Sequence, residues 1–223
     1  MRRAGREPGN HSFLRERMVR DLEARGIRDR RVLEAMLEVP RHRFVRDHLQ
    51  GQAYGDHALP IGGGQTVSQP YVVARMSELL AVGPEHSVLE VGTGTGYQTA
   101  VLARLARRVY SLERLPDLAR EAIARMRQLG LENVKIQAFD GTVGWTEVAP
   151  FDRILVTAAA PRVPAPLLAQ LGEGGRMVIP EGGVAAQRLT VYIRARNGIR
   201  RRQEESVAFV PLVGRHGWPE EKD

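Results

Sequence analysis

The chain has 223 residues, 43% of them hydrophobic and 26% charged, which is the balance of a folded protein with a sizeable core rather than a disordered one. It contains no cysteine, which excludes disulfides and thiolate metal sites. The net charge of +7 is carried almost wholly by arginine, in runs at 2–6 and 200–202 with no interleaved aromatics, so charge alone does not define a nucleic-acid surface.

No apolar run reaches the roughly 20 residues of a membrane helix. The opening "MRRAGREPGNHSFLRERM" has neither an apolar core nor a cleavage site. A single cytoplasmic domain over 1–223 is the expectation, without a membrane or specific nucleic-acid partner. Within it, 1–80 would supply helices and a substrate loop, 81–182 a cofactor-binding core, and 183–223 the C-terminal strands.

In chain order, Phe13, Leu14, Met18 and Leu22 at helical spacing predict a helix from Ser12 to about Arg25, stopped by Gly26. A second runs from an Asp29 N-cap to Glu38 and ends before Pro40. A long irregular passage follows, through "PRHRFVRDHLQGQAYGDHALPIGGGQTV", and a passage of that length in a compact fold is usually functional. His42, His48 and His57 within it read as surface or capping residues. The next helix spans Gln69 to Leu80, with Pro70 in its first turn.

From Ser87 strands and helices alternate: "SVLEV", "YQTAVLARLA", "RVYSLE", "LPDLAREAIARMRQLG", "NVKIQAFD", "FDRILVTAA", "PAPLLAQLG" and "GRMVIPEG". This order predicts a doubly wound, mostly parallel sheet with helices on both faces. Two alternating runs around Asn197-Gly198 add an antiparallel C-terminal hairpin.

"VLEVGTGTGYQTA" sets Gly92, Gly94 and Gly96 between a strand and a helix, where α/β sheets bind ligands. Glu90 on that strand, Glu113 at the end of the second and Asp140 at the end of the third all fall at the same sheet edge. Glu113 stands about twenty residues past the glycines, where a carboxylate takes ribose hydroxyls. A dinucleotide would favour a glycine at Tyr97 and a helix amino end for its pyrophosphate. S-adenosylmethionine, with an ammonium and a sulfonium and no phosphate, suits an acidic rim better. Asp140, beside Gly141, would accept from the adenine amino group. A Rossmann-like class I methyltransferase using S-adenosylmethionine, with S-adenosylhomocysteine as product, is the resulting expectation.

After the fourth strand "VTAAAPRVP" offers no amide or carboxylate to hold an amine, and no histidine stands near the glycine turn as a general base. An acceptor that needs no deprotonation fits, and a carboxylate is ionised at neutral pH. The uncharged run "GGGQTVSQP", Gly62 to Pro70, supplies neutral donors: glycine amides, the Thr66 and Ser68 hydroxyls, and a helix amino end. From these residues alone, an RNA or small-molecule acceptor stays open.

The segments "PRHRFV", "AYGDHALPIGGGQTVSQPYVVARM", "VLEVGTGTGYQTAVLA", "NVKIQAFDG", "APFDRILVTAAAPRVP", "QLGEGGRMVIP" and "FVPL" resemble the protein-L-isoaspartate O-methyltransferase family over nearly the whole chain. The resemblance implies methylation of the stray α-carboxyl of L-isoaspartyl residues in damaged proteins, followed by succinimide closure and partial return to aspartate. It implies Ser68 as the active-site hydroxyl, and Asp56, Ile61, Gly62, Thr66 and Gln69 as positioning the peptide along Tyr54 to Gln69. Glu90, Gly92, Thr93, Gly94, Gly96, Glu113, Asp140 and Gly141 would hold the cofactor, with no metal, in a monomer. Val213 stands where relatives use a polar side chain, and the arginine-rich segment before Ser12 has no counterpart.

Overall fold

The computed structural model describes residues 10–62, 64–183 and 186–220; the arginine run at 2–6 lies outside them. Helices α1 (His11–Ala24) and α2 (Arg30–Glu38) come first, and the Asp29 side chain accepts from Arg31 N–H to cap α2. The passage expected to be irregular is instead built. Two short 3-10 turns, Arg41–Phe44 and Asp47–Gln52, lead into a hairpin of β1 (Leu59–Gly62) and β2 (Gln65–Val67). Its strands are only four and three residues long, too short for alternation to announce them. Arg46 braces this hairpin by donating through Nη2 to Ile61 O at 2.8 Å. Gly62, at φ +100°, leaves the space that guanidinium occupies, since a Cβ would stand 2.2 Å from Arg46 Nη2.

Helix α3 (Pro70–Leu80) follows, and then a seven-stranded sheet in the order β5 (Val134–Ala138), β4 (Arg108–Glu113), β3 (Ser87–Val91), β6 (Phe151–Val156), β7 (Leu171–Gly182), β8 (Gln187–Ala195), β9 (Gly198–Val207). The first five strands are parallel and β8 and β9 antiparallel. Helices α4 (Tyr97–Leu105), α5 (Pro116–Gln128) and the short α6 (Ala165–Ala169) connect the parallel part. The chain leaves β3 for β4 on one side and later returns to place β6 on the other, so the strand order reverses at β3, where such sheets bind ligands.

The central strands bury both faces, and period two sorts their side chains. Val88 packs with the core under α1, α2, α3 and α4, while Leu89 and Val91 pack with Phe151, Ile154 and Leu167 on the other face. Glu90 shares the parity of Val88, which sends its carboxyl beneath α4.

His42 is buried rather than on the surface. Its Nδ1 lies 2.8 Å from the Tyr54 hydroxyl, and its ring stacks on His11 at 4.0 Å. Arg41 is fully buried beside it, donating from Nε to Ala53 O at 2.7 Å with its guanidinium 4.6 Å above the Tyr97 ring.

Candidate active site

A cleft of about 240 Å³ opens at the carboxyl ends of β3, β4 and β6. Its sheet side is the turn after β3. Gly92 and Thr93 donate their N–H groups to Leu112 O at 2.8 and 3.3 Å, which curls the turn back over β4. Gly92 has φ +97°, and a Cβ there would stand 2.4 Å from Thr157 Oγ1. That hydroxyl, at the end of β6, donates to Gly92 O at 2.6 Å and fastens the turn from beneath. Gly94, at φ +54°, has nothing within 4 Å of where its Cβ would be, so a ligand can approach the bare backbone.

Glu113 closes this wall. Its Oε2 accepts from Gly94 N–H at 2.8 Å and its Oε1 from Leu115 N–H at 3.0 Å. A carboxylate offers about four acceptor positions, so lone pairs remain for the hydroxyls of a ligand. The other charged residue on the wall, among the described residues, is Arg114, whose guanidinium pairs with Glu220 at 2.7 Å. This wall has a carboxylate at the ribose position and its guanidinium already paired, a donor set that suits a nucleoside bearing a cation better than a pyrophosphate.

The opposite wall is the hairpin and the start of α3. Thr66, Ser68 and Gln69 line it, with Val72, Val73 and Met76 beneath. Among the described residues no hydrogen bond engages the Ser68 hydroxyl, which lies half-buried at the cleft. The C-terminal segment Ala208–Val213 forms the third side, Val213 included.

Several expected residues stand elsewhere. Glu90 is wholly buried and does not line the cleft; its Oε2 accepts from Thr99 Oγ1 at 2.5 Å and Ser111 Oγ at 2.6 Å. Burial, aided by the neighbouring Glu113 charge, raises its carboxyl to about 7 against the hydroxyls' opposing effect. It still communicates with the cleft, because Ser111 Oγ lies 2.6 Å from Thr93 Oγ1 on the wall. Asp140 also stands off the cleft. Its Oδ1 accepts from Thr142 N–H and its Oδ2 from Arg215 N–H, at 2.9 and 2.8 Å. Burial pushes that carboxyl up, but these bonds outweigh it and hold it below the usual range. Asp140 thereby ties the C-terminal segment to the sheet, while Gly141 lines the cleft.

Gly96 lies behind the turn, where a Cβ would meet Met126 at 2.7 Å, and Ile61 and Gly62 face Arg46. Asp56 caps α3: its Oδ1 accepts from Tyr71 N–H at 3.0 Å and its Oδ2 from Gln69 Nε2 at 3.1 Å. The helix end expected as a neutral donor therefore already has a carboxylate on it. Thr157, Gln98 and Ala208–Leu212 also line the cleft and were not expected from the sequence, whereas the sequence marks Val213 as standing where relatives use a polar side chain. Thr157 had one signal, its place just past the carboxyl end of an apolar strand.

A parallel sheet reversing at β3, with a glycine turn and a terminal acid on the next strand, defines a Rossmann-like methyltransferase fold. Two solved structures share it over nearly the whole chain. A protein-L-isoaspartate O-methyltransferase superposes with a TM-score of 0.83 at 29% identity, covering 91% of this chain and 67% of that one. A putative enzyme of the same name from Plasmodium falciparum, in complex with S-adenosyl-L-homocysteine, gives 0.79 at 28% identity, covering 92% and 99%. The family model described as Protein-L-isoaspartate(D-aspartate) O-methyltransferase (PCMT) matches residues 14–217. The Protein-L-isoaspartate O-methyltransferase of Magnetococcus marinus is 55% identical over 205 residues, 92% of this chain and 90% of that one. Protein-L-isoaspartate O-methyltransferase 1 of Syntrophobacter fumaroxidans is 51% identical over 210 residues, 94% and 98%. The chain belongs to the protein-L-isoaspartate(D-aspartate) O-methyltransferase family.

Proposed function

We propose that the protein transfers a methyl group from S-adenosylmethionine to the free α-carboxylate of L-isoaspartyl residues, starting their return to aspartate through a succinimide. The observation that carries the reading is one cleft with two unlike walls. A glycine turn with Glu113 faces an uncharged hairpin carrying Ser68 and Thr66.

The bound cofactor supplies an electrophilic methyl on a sulfonium, so that an O–C bond forms as the C–S bond breaks and sulfur keeps the electron pair. The protein's part is to hold and aim. Glu113 binds the nucleoside end through its remaining lone pairs, against the open backbone at Gly94, and Gly141 and the C-terminal segment enclose it. Ser68 donates a hydrogen bond to the substrate carboxylate and keeps one oxygen in line. Bringing an anion to a cation cancels charge in the transition state, so a tight guanidinium clamp would stabilise the ground state more. Arg46, a basic side chain at the hairpin's backbone, is turned onto Ile61 O and braces the wall. Apolar Val72, Val73 and Met76 keep the site poor in water, which strengthens its few polar contacts.

Damaged proteins would be the partners, with the enzyme acting as a monomer. The discriminating experiment offers methyl-labelled cofactor together with an isoaspartyl peptide and total RNA. Base-labile label on the peptide supports the reading; base-stable label on RNA alone overturns it.

A further inference from the structure

A second cleft, of about 350 Å³, lies on the far side of Asp56. That volume is within the range of about 300–1,000 Å³ typical of ligand sites. Its floor is apolar, made by Leu14, Met18 and Leu22 of α1 together with Tyr54. Its rim is charged but internally matched. Arg17 lies 3.9 Å from Asp21, and Arg25 pairs with Asp56 while standing 3.9 Å over the Tyr71 ring. With those charges paired against each other, the apolar floor is what remains to select an occupant.

The two clefts meet at a hydrogen bond between their walls. Gln69, on the wall of the first, donates from Nε2 to Asp56, on the wall of the second, at 3.1 Å. Gln69 directly follows Ser68. An extended polypeptide advances about 3.3 Å per residue, so a chain with its carboxylate at Ser68 crosses that divide within a few residues.

We infer that the second cleft receives an apolar side chain of the substrate polypeptide, one to three positions from the isoaspartyl residue, and so sets the flanking-sequence preference. The inference rests on the proposed function. A side chain bound there is remote from the reacting atoms and is held alike in the ground and transition states. Its effect therefore falls on KM and leaves kcat alone.

The test is a panel of isoaspartyl peptides with alanine at all flanking positions, then leucine, phenylalanine or aspartate at each of the three positions on either side. Leucine or phenylalanine at one position should lower KM on the order of tenfold relative to alanine, with kcat unchanged and aspartate giving no gain. Leu14→Trp, which fills the cleft, should erase that gain and leave the alanine peptide and cofactor affinity as they were. Should that variant lose cofactor binding, Gln52→Trp on the exposed rim carries the same expectation. A KM indifferent to every flanking residue, or a gain that survives the filled cleft, overturns the inference. No methylation of even the alanine peptide would instead sink the underlying function.

Discussion

Asp56 Oδ1 accepts the Tyr71 backbone N–H at 3.0 Å, which makes a residue fifteen positions upstream the cap of α3. The same carboxylate holds the Gln69 amide, so the helix start and the wall beside Ser68 are set by one side chain. Asp56→Ala should cost about 1 kcal/mol of stability, as lost caps do. In a chain of this size that is roughly 2–4 °C in Tm. It should also raise KM for an isoaspartyl peptide while Asp56→Asn, which can still accept from Tyr71 N–H, recovers most of the Tm. An unchanged melting curve in the alanine variant would remove Asp56 from this role.

Glu113 bridges Gly94 N–H and Leu115 N–H and fronts the cleft. Hydrogen bonds to charged groups are worth about 1.5–3 kcal/mol, so Glu113→Ala should weaken cofactor binding by about ten- to a hundredfold in calorimetry. Peptide KM, measured at saturating cofactor, should hardly move. Full-strength cofactor binding by the variant would show that the ribose is held elsewhere.

The Glu90 carboxyl, raised to about 7 by burial, gives two pH effects of opposite sign. In the cofactor-free protein its pKa in the folded state exceeds that in the unfolded chain. The stability it contributes is then present below the unfolded value near 4.5 and lost as pH rises through about 7. Glu90→Gln should accordingly melt higher than the parent at pH 8 and much the same at pH 5. A cationic cofactor favours the ionised form, so affinity for S-adenosylmethionine should rise with pH through that window, with proton release on binding. Calorimetry in buffers of different ionisation enthalpy reads this release, and release undiminished in Glu90→Gln would assign it to another group.

The turn itself is tested at its two glycines. Gly92→Ala places a Cβ against Thr157 Oγ1 at φ +97°, whereas Gly94→Ala meets only open space at φ +54°. Both carry the strain of a left-handed alanine, about 1–2 kcal/mol. Only the first should also detach the Thr157 bond and lower Tm further. Equal melting of the two variants would mean that the Thr157 contact contributes nothing.

The contrast between these residues shows what a single sequence reveals. The strands "SVLEV" and "RVYSLE" coincide with β3 and β4, because short β-branched stretches, one ending in a glycine turn and the other in an acid before a helix, have one sensible reading. The edge at which ligands bind followed from those strand ends. What was not legible is which way each acid turns. Glu90 lies one step before its strand's end, and the two-residue period carries it under α4 toward Thr99. Asp140 reaches an end as expected, yet its Oδ1 is claimed by Thr142 and its Oδ2 by Arg215, seventy-five positions later. Asp56 and Arg46 act across the same kind of gap, on partners that no local pattern announces. The brief β1–β2 hairpin depends on that bracing, which explains why its segment read as irregular.

Ser68 separates aiming from binding. Ser68→Ala should lower kcat on an isoaspartyl peptide by about ten- to a hundredfold, because the carboxylate oxygen is no longer held in line with the methyl group. Cofactor affinity should be unchanged, since Glu113 and the glycine turn stand on the opposite wall. An equal loss of cofactor binding would place the hydroxyl in the wrong half of the site.

The most direct measurement uses two peptides of one sequence, differing only in whether the central residue is aspartyl or isoaspartyl, with methyl-labelled S-adenosylmethionine. Base-labile label on the isoaspartyl peptide, at a rate far above that on its aspartyl twin, is the predicted result. Equal labelling of the two, or label on neither while the cofactor binds, would contradict the account.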